Sequence, residues 1–136
     1  MASGDKEKEL KITHIYTGSD GQSHLRDLNI PTTFDELSKR NSTGLLPSTG
    51  GGIAETSALP EPRGFHNAPR RQFVAVLKGG LEMETGDGTK ITVLPGDVFL
   101  ADDLTGQGHR TRDLDVPTRV LYIYVPDDFD PNAWAG

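Results

Sequence analysis

Two histidines and one amide are the residues of this chain best suited to chemistry. His66 and Gln72 lie close together in the sequence, and His109 lies further along. An imidazole gives or takes a proton near neutral pH and also binds transition metals as a neutral ligand. An amide such as that of Gln72 can hold the carbonyl oxygen of a ligand. Whether the three side chains form one site depends on the strands that carry them.

The elements that must position these side chains are predicted to be short β-strands. Gly and Pro are abundant, at 16 and 9 residues, and fall between short apolar stretches, which is typical of an all-β protein. About eight to ten such strands favour a sandwich or a closed barrel. The predicted strands cover residues 10–16, 23–30, 53–59, 71–78, 81–85, 89–94, 98–101, 107–112 and 117–125.

Strand periodicity predicts which side chains share a face, because successive side chains of a strand point to opposite sides. Gln72 shares a face with Val74, and His109 shares a face with Thr111. His14 alternates with apolar neighbours, which predicts a hydrogen-bonded histidine in the core. The segment 34–40 follows a capping-box pattern and predicts a short helix.

The order of several landmarks resembles the two motifs of the cupin superfamily. His66 opens the first motif and Gly79 closes it, Pro95-Gly96-Asp97 opens the second, and His109 follows on the next strand. The resemblance implies an all-β double-stranded β-helix, or jelly-roll barrel. Residues 8–30 would then supply extra N-terminal strands.

The first motif departs from the family pattern at two positions. Ala68 stands where the pattern has a second His, and Gln72 stands where it has Glu. In metal-binding cupins, three His and one Glu hold a divalent ion. The resemblance therefore implies a reduced ligand set of His66, Gln72 and His109 for one ion of Fe, Zn, Ni or Mn, or a pocket that requires no cofactor.

The resemblance also implies a pocket for a small organic molecule, and three functions are compatible with it. The first is an enzyme that catalyses an isomerisation, a cyclisation or a lyase-type elimination, with His66 and His109 as proton donors and acceptors and Gln72 beside them. The second is a metabolite-binding sensor without catalysis. The third is a metal-dependent dioxygenase.

Five further polar residues are candidates for substrate contacts. Tyr122 and Tyr124 share one face of the last predicted strand and could line the cavity or pack in the core. Arg70 could belong to a rim that binds carboxylate or phosphate, or could simply be solvated. His24 could reach the pocket, and an exposed or core position is the alternative that its strand favours. Asp103 could orient His109, and a plain turn is the alternative interpretation.

Composition narrows the classes of partner and compartment. The formal net charge of −6 disfavours nucleic acid as a partner, since binding it requires a basic surface. No apolar run approaches the roughly 18 residues of a membrane span. Cysteine is absent, so no disulfide or thiolate site can form. The polar N-terminus shows no secretory signal, and a cytoplasmic protein is expected.

The chain is expected to form one domain over residues 1–136. Its first eight residues are predicted to be a flexible arm, 31–52 a long loop or lid, and 126–136 a C-terminal tail anchored by Trp134. The resemblance further implies a homodimer, for which an N-terminal edge strand and Trp134 would offer apolar surface.

Overall fold

The computed structural model describes residues 8–57 and 64–135, and within these segments the chain is all-β, as predicted. The elements are β1 (Glu9–Thr17), β2 (Ser23–Pro31), β3 (Thr33–Asp35), β4 (Arg40–Ser42), β5 (Gly50–Thr56), β6 (Gln72–Glu84), β7 (Lys90–Val93), β8 (Val98–Asp102), β9 (Arg110–Tyr124) and a 3-10 helix (Pro131–Trp134).

Seven of these strands form one mixed sheet. Its order is β2-β1-β8-β6-β9-β5, and β7 pairs with the second half of β6. β1 and β8 are parallel, whereas the other pairs in the sheet are antiparallel. β3 and β4 form a separate hairpin. In the described part of the chain, the sheet follows an open path from β2 to β5.

β6 and β9 each join two strands that the sequence separates. The prediction of a break near Gly79 is wrong because that residue adopts φ +79 and the chain bulges without turning back. The register between β6 and β9 shifts between Val76 and Leu81. A Cβ at position 79 would lie 2.7 Å from Thr118 Oγ1, so the close approach also requires glycine.

The predicted helix at 34–40 is wrong. Asp35 Oδ1 accepts a hydrogen bond from the Leu37 amide, Asp35 O accepts one from the Lys39 amide, and the chain then reverses into β4. Leu37 is 95% exposed, so a helix here would have no apolar face to bury. The segment 31–52 therefore contains a hairpin and the start of β5, and its role as a lid stays a prediction.

Two other predictions fall wholly or partly on residues outside the described segments. The flexible arm is predicted for residues 1–8, of which 1–7 lie outside the described segments. The predicted strand 53–59 also runs past the described residues, and the observed β5 occupies Gly50–Thr56.

The apolar core lies on both faces of the sheet. One cluster, the inner core, includes Ile15, Val74, Met83, Val93 and Phe99. It draws on both halves of β6 and on β7, so the sheet bends over it. This inner face is the side on which Gln72 and Ala101 also lie, two residues from Val74 and Phe99 respectively.

The opposite face carries the second cluster, the outer core, which the C-terminal tail covers. Leu28, Phe73 and Leu100 belong to it, and Trp134 packs against it. The Trp134 ring lies 4.8 Å from that of Phe129 and 6.1 Å from that of Phe73, centroid to centroid. The predicted anchoring of Trp134 against the sheet is confirmed.

No helix in the described segments has the length and apolar character needed to cross a bilayer.

Candidate functional site

The structure brings His66 and His109 together. Their backbones exchange two hydrogen bonds, from His66 N to His109 O at 2.8 Å and from His109 N to His66 O at 2.9 Å. Their rings lie 5.0 Å apart, centroid to centroid. Gly108 adopts φ +82, and a Cβ there would lie 2.1 Å from His66 O, so this glycine allows the two segments to meet.

Asp103 contacts the Nδ1 side of the His109 ring. Its Oδ2 is 2.6 Å from His109 Nδ1 and accepts a hydrogen bond from Ser23 Oγ at 2.7 Å. The residue is fully buried. Because a carboxylate only accepts hydrogen bonds, His109 carries its hydrogen on Nδ1 and presents a bare Nε2. Of the two alternatives that the sequence left open for Asp103, the structure shows the hydrogen bond to His109.

His66 is oriented in the same sense by a backbone carbonyl. Its Nδ1 lies 3.1 Å from Gly64 O, which can only accept, so Nδ1 carries the hydrogen. The Nε2 atoms of His66 and His109 have no hydrogen-bond partner among the described residues. Two adjacent imidazoles therefore present atoms that can take or give a proton.

Gln72 lies on the inner face of the sheet, at the first residue of β6. It pairs with Ala101 on β8 and with Tyr124 on β9. Asp103 is two residues beyond Ala101, so side-chain alternation assigns Asp103 and Gln72 to the same face. Within the described segments, Gln72 makes no hydrogen bond to either histidine.

Tyr122, Tyr124 and Arg70 form a stack beside Gln72. The two tyrosine rings lie 5.4 Å apart, and the Arg70 guanidinium carbon lies 4.2 Å above the Tyr124 ring centroid. A Cβ at Gly52 would lie 2.6 Å from the Tyr122 hydroxyl, so the glycine on β5 leaves room for this ring. The register thus assembles three of the predicted substrate contacts.

His24 is not assembled with the other candidates. It pairs with Tyr16 on β1, and alternation puts both on the outer face. Its Nε2 lies 2.9 Å from the Asp20 carboxylate, and its Nδ1 lies 3.7 Å from Asp87. Hydrogen bonds from the Thr85 hydroxyl and the Thr89 amide lower the pKa of Asp87 to about 2.

A charged network on the outer face was missed by sequence reasoning. Arg26 Nε donates to His14 Nδ1 at 2.9 Å, and His14 Nε2 donates to Asp102 Oδ2 at 2.8 Å. Arg71 Nε donates to Asp102 Oδ1 at 2.7 Å. The predicted hydrogen-bonded core role of His14 is confirmed. Asp102 and Asp103 are adjacent, so strand alternation puts their side chains on opposite faces, and this was the sequence signal that could have revealed the network.

Burial raises the pKa of the Asp102 carboxyl, but the hydrogen bonds from His14 and Arg71 outweigh it and leave that pKa below its ordinary value. Arg71 also donates to Phe129 O at 2.6 Å, and Arg26 donates to Asn132 Oδ1 at 2.7 Å. The network therefore ties the C-terminal tail to the sheet.

The predicted metal ligands make a weak donor set. In the segments that the structure describes, no group of three or more His, Cys, Asp or Glu side chains is placed to hold a metal ion. His66 and His109 offer two neutral nitrogens, and Gln72 offers a neutral oxygen that does not offset the charge of an ion. These residues do not fit the usual three-ligand catalytic site.

A cavity of about 520 Å³ lies away from these residues. Its walls include Leu10 and Thr13 of β1, Val93 of β7 and Phe99 of β8. Asp103 follows the opposite end of β8. We place the candidate site at the histidines because the cavity holds none of the predicted site residues.

Comparisons with known proteins do not assign a family. No family model matches the chain, and no curated protein matches it. A crystal structure of protein NMB1881 from Neisseria meningitidis is similar over 60% of this chain and 89% of that chain, at 16% identity and a TM-score of 0.40. A TM-score this low does not establish a common fold, and nothing about function follows from it.

Proposed function

We propose that this protein is an enzyme that moves a proton on a small organic substrate, in an isomerisation, a cyclisation or an elimination. The observation that carries the proposal is the 2.6 Å contact between His109 Nδ1 and the buried Asp103 carboxylate. A carboxylate in this position fixes the tautomer and stabilises the imidazolium that forms when Nε2 takes a proton.

The two histidines would divide the proton transfers between them. His109 Nε2 removes a proton from a carbon next to a carbonyl, and the electron pair moves onto the carbonyl oxygen. Gln72 donates an amide N–H to that oxygen. His66, whose ring centroid lies 5.0 Å from that of His109, returns a proton to the product when it starts in the charged form.

We also propose that the fold is a cupin-like jelly-roll barrel. The bend of β6 at Gly79 and the turn at 95–97 support this, since both fall where the motif resemblance requires them. In the turn, Asp97 Oδ2 accepts from the Leu94 amide at 2.9 Å, and Gly96 adopts φ +98. A cytoplasmic homodimer without nucleic-acid or membrane partners remains part of the proposal.

Solvent-deuterium exchange tests the proposed activity without knowledge of the natural substrate. The full chain is incubated in D2O with small 2-oxo acids, lactones and β-diketones, and loss of the proton next to the carbonyl is followed by NMR. We expect His109→Ala to slow exchange by about 100-fold or more and Asp103→Asn by about tenfold. His24→Ala, a histidine outside the site, is the control and should exchange like wild type.

Two results would contradict the proposal. Exchange that survives His109→Ala unchanged would remove the histidine from the chemistry. Saturable binding of these compounds with no exchange would favour the metabolite sensor. The dioxygenase alternative requires a bound metal, and metal analysis of the purified protein together with chelator sensitivity tests it.

A further inference from the structure

Arg70 differs from most arginines of the described segments in the group that its guanidinium contacts. Four others have a carboxylate oxygen within 2.7–3.4 Å, namely Arg71, Arg110, Arg112 and Arg119. Arg70 has no acidic partner among the described residues. Its guanidinium instead lies over the face of Tyr124, 4.2 Å from the ring centroid.

No atom in the described part of the chain accepts a hydrogen bond from the Arg70 guanidinium. A guanidinium that lies over a ring is attracted by the π face, while its N–H groups point outward in the guanidinium plane. The ring of Tyr122 lies 5.4 Å from that of Tyr124 on the same face, tilted by 40° to it. The guanidinium therefore contacts the face of Tyr124, and its donors have no acceptor within residues 8–57 and 64–135.

The location of Arg70 links it to the acid–base site. Gln72 follows it by two residues and pairs with Tyr124 on one side and with Ala101 on the other. The Ala68 amide, two residues before Arg70, donates to the backbone oxygen of Asp103 at 3.2 Å. The segment 66–72 thus carries His66, Arg70 and Gln72 along the edge of the same inner face.

We propose that Arg70 binds the carboxylate of the substrate, so that the site takes small organic acids. A carboxylate accepts two parallel hydrogen bonds from the planar guanidinium fork, which a neutral amide or ester cannot do. Gln72, on the neighbouring inner-face position, donates an amide N–H to the same ligand. The inference rests on the proposed function, because it specifies the substrate class of that site.

Titration with a matched pair of probes tests the inference. Benzoate and benzamide have nearly the same shape and differ in charge, and both have a ring that can stack on tyrosine. Protein labelled with ¹⁵N in Arg and His is titrated with each, and the Arg70 Nε–Hε signal is followed. We expect benzoate to shift this signal with a millimolar dissociation constant and benzamide to bind at least about tenfold more weakly.

Variants assign the effect to the guanidinium. In the variants the affinity is read from the labelled His66 and His109 signals, which the substitutions retain. Arg70→Gln should weaken benzoate about tenfold or more and leave benzamide unchanged, and Arg70→Lys should retain part of the affinity. Arg112→Gln removes an exposed arginine paired with Glu82 and should bind benzoate like wild type.

Three outcomes would overturn the inference. They are equal affinity for benzoate and benzamide, full benzoate affinity in Arg70→Gln, and no shift of the Arg70 signal up to about 50 mM benzoate. Anion binding and deuterium exchange are separate readouts. Binding that depends on Arg70, without exchange, would keep the carboxylate site and refute only the enzyme.

Discussion

Replacing Asp102 by Asn should strongly destabilise the fold, because the hydrogen bonds around this residue allow only a carboxylate. Arg71 Nε donates to one oxygen and His14 Nε2 donates to the other. Arg26 Nε donates to His14 Nδ1, so His14 cannot move its hydrogen to that nitrogen. Asn offers one oxygen and one NH2 group, so in either orientation its NH2 group faces a donor, either Arg71 Nε or His14 Nε2.

The expected loss in the free energy of unfolding is about 3 kcal/mol. The Asp102 side chain is 11% exposed and that of His14 is 2% exposed, so water cannot replace the lost acceptor at His14. Arg71, at 17% exposed, loses the charge that it faces. A hydrogen bond to a charged group contributes about 1.5–3 kcal/mol, and the donor–donor contact adds a desolvation cost.

Urea denaturation measures this loss. Trp134 is the only tryptophan, and its fluorescence reports release of the tail from the outer core. Asp27→Asn is the matched control, since Asp27 is 62% exposed and its oxygen lies 3.8 Å from Lys11 Nζ. The control should change the free energy of unfolding by less than about 0.5 kcal/mol.

A loss below about 1 kcal/mol in Asp102→Asn would refute this reasoning. The same conclusion would follow if Asp102→Asn and Asp27→Asn had equal effects, since the buried network would then contribute no more than an exposed ion pair.

Three further predictions concern stability. Because the pKa of Asp102 is lowered in the fold, its contribution to the free energy of unfolding is present above about pH 4 and is lost as the pH falls further. Asp102→Asn should therefore flatten the acid limb of a pH–stability curve, and an unchanged limb would contradict this. Gly79→Ala forces a Cβ to 2.7 Å from Thr118 Oγ1 at φ +79 and should reduce the free energy of unfolding, measured in urea, by about 2 kcal/mol. A loss under about 0.5 kcal/mol would show that β6 does not need this bulge. Trp134→Ala should lower the free energy of unfolding by about 2 kcal/mol, as followed by near-ultraviolet circular dichroism, and should expose the tail around Phe129 to proteolysis. A protease-resistant tail would mean that other contacts hold it.

The class of the fold could be predicted from the sequence because glycine and proline mark its turns. The turn at 95–97 and the β6–β7 hairpin formed as expected. The continuity of β6 and β9 could not be predicted, since Gly79 can either end a strand or bend it and only the packing against Thr118 decides. The helix at 34–40 failed because a capping pattern does not supply an apolar surface for the helix to pack on.

The candidate site was partly predictable, as the comparison of Asp103 with Asp102 illustrates. Period-two alternation explains why one faces His109 and the other faces His14, but the sequence does not say which face is which. Long-range pairing decides this, through the register of β8 with β1 and β6. The stack of Arg70 on Tyr124 depends on the same register and on the bend before β6.

The most direct test of the acid–base site is the tautomer of His109. Long-range ¹H–¹⁵N NMR of the full chain at about pH 8 distinguishes a protonated Nδ1 from a protonated Nε2. We predict that His109 carries its hydrogen on Nδ1 in wild type and becomes a mixture of tautomers in Asp103→Asn. A wild-type His109 protonated on Nε2 would have its bare nitrogen, Nδ1, against the Asp103 carboxylate, where no substrate proton can reach it, and would contradict the proposed role.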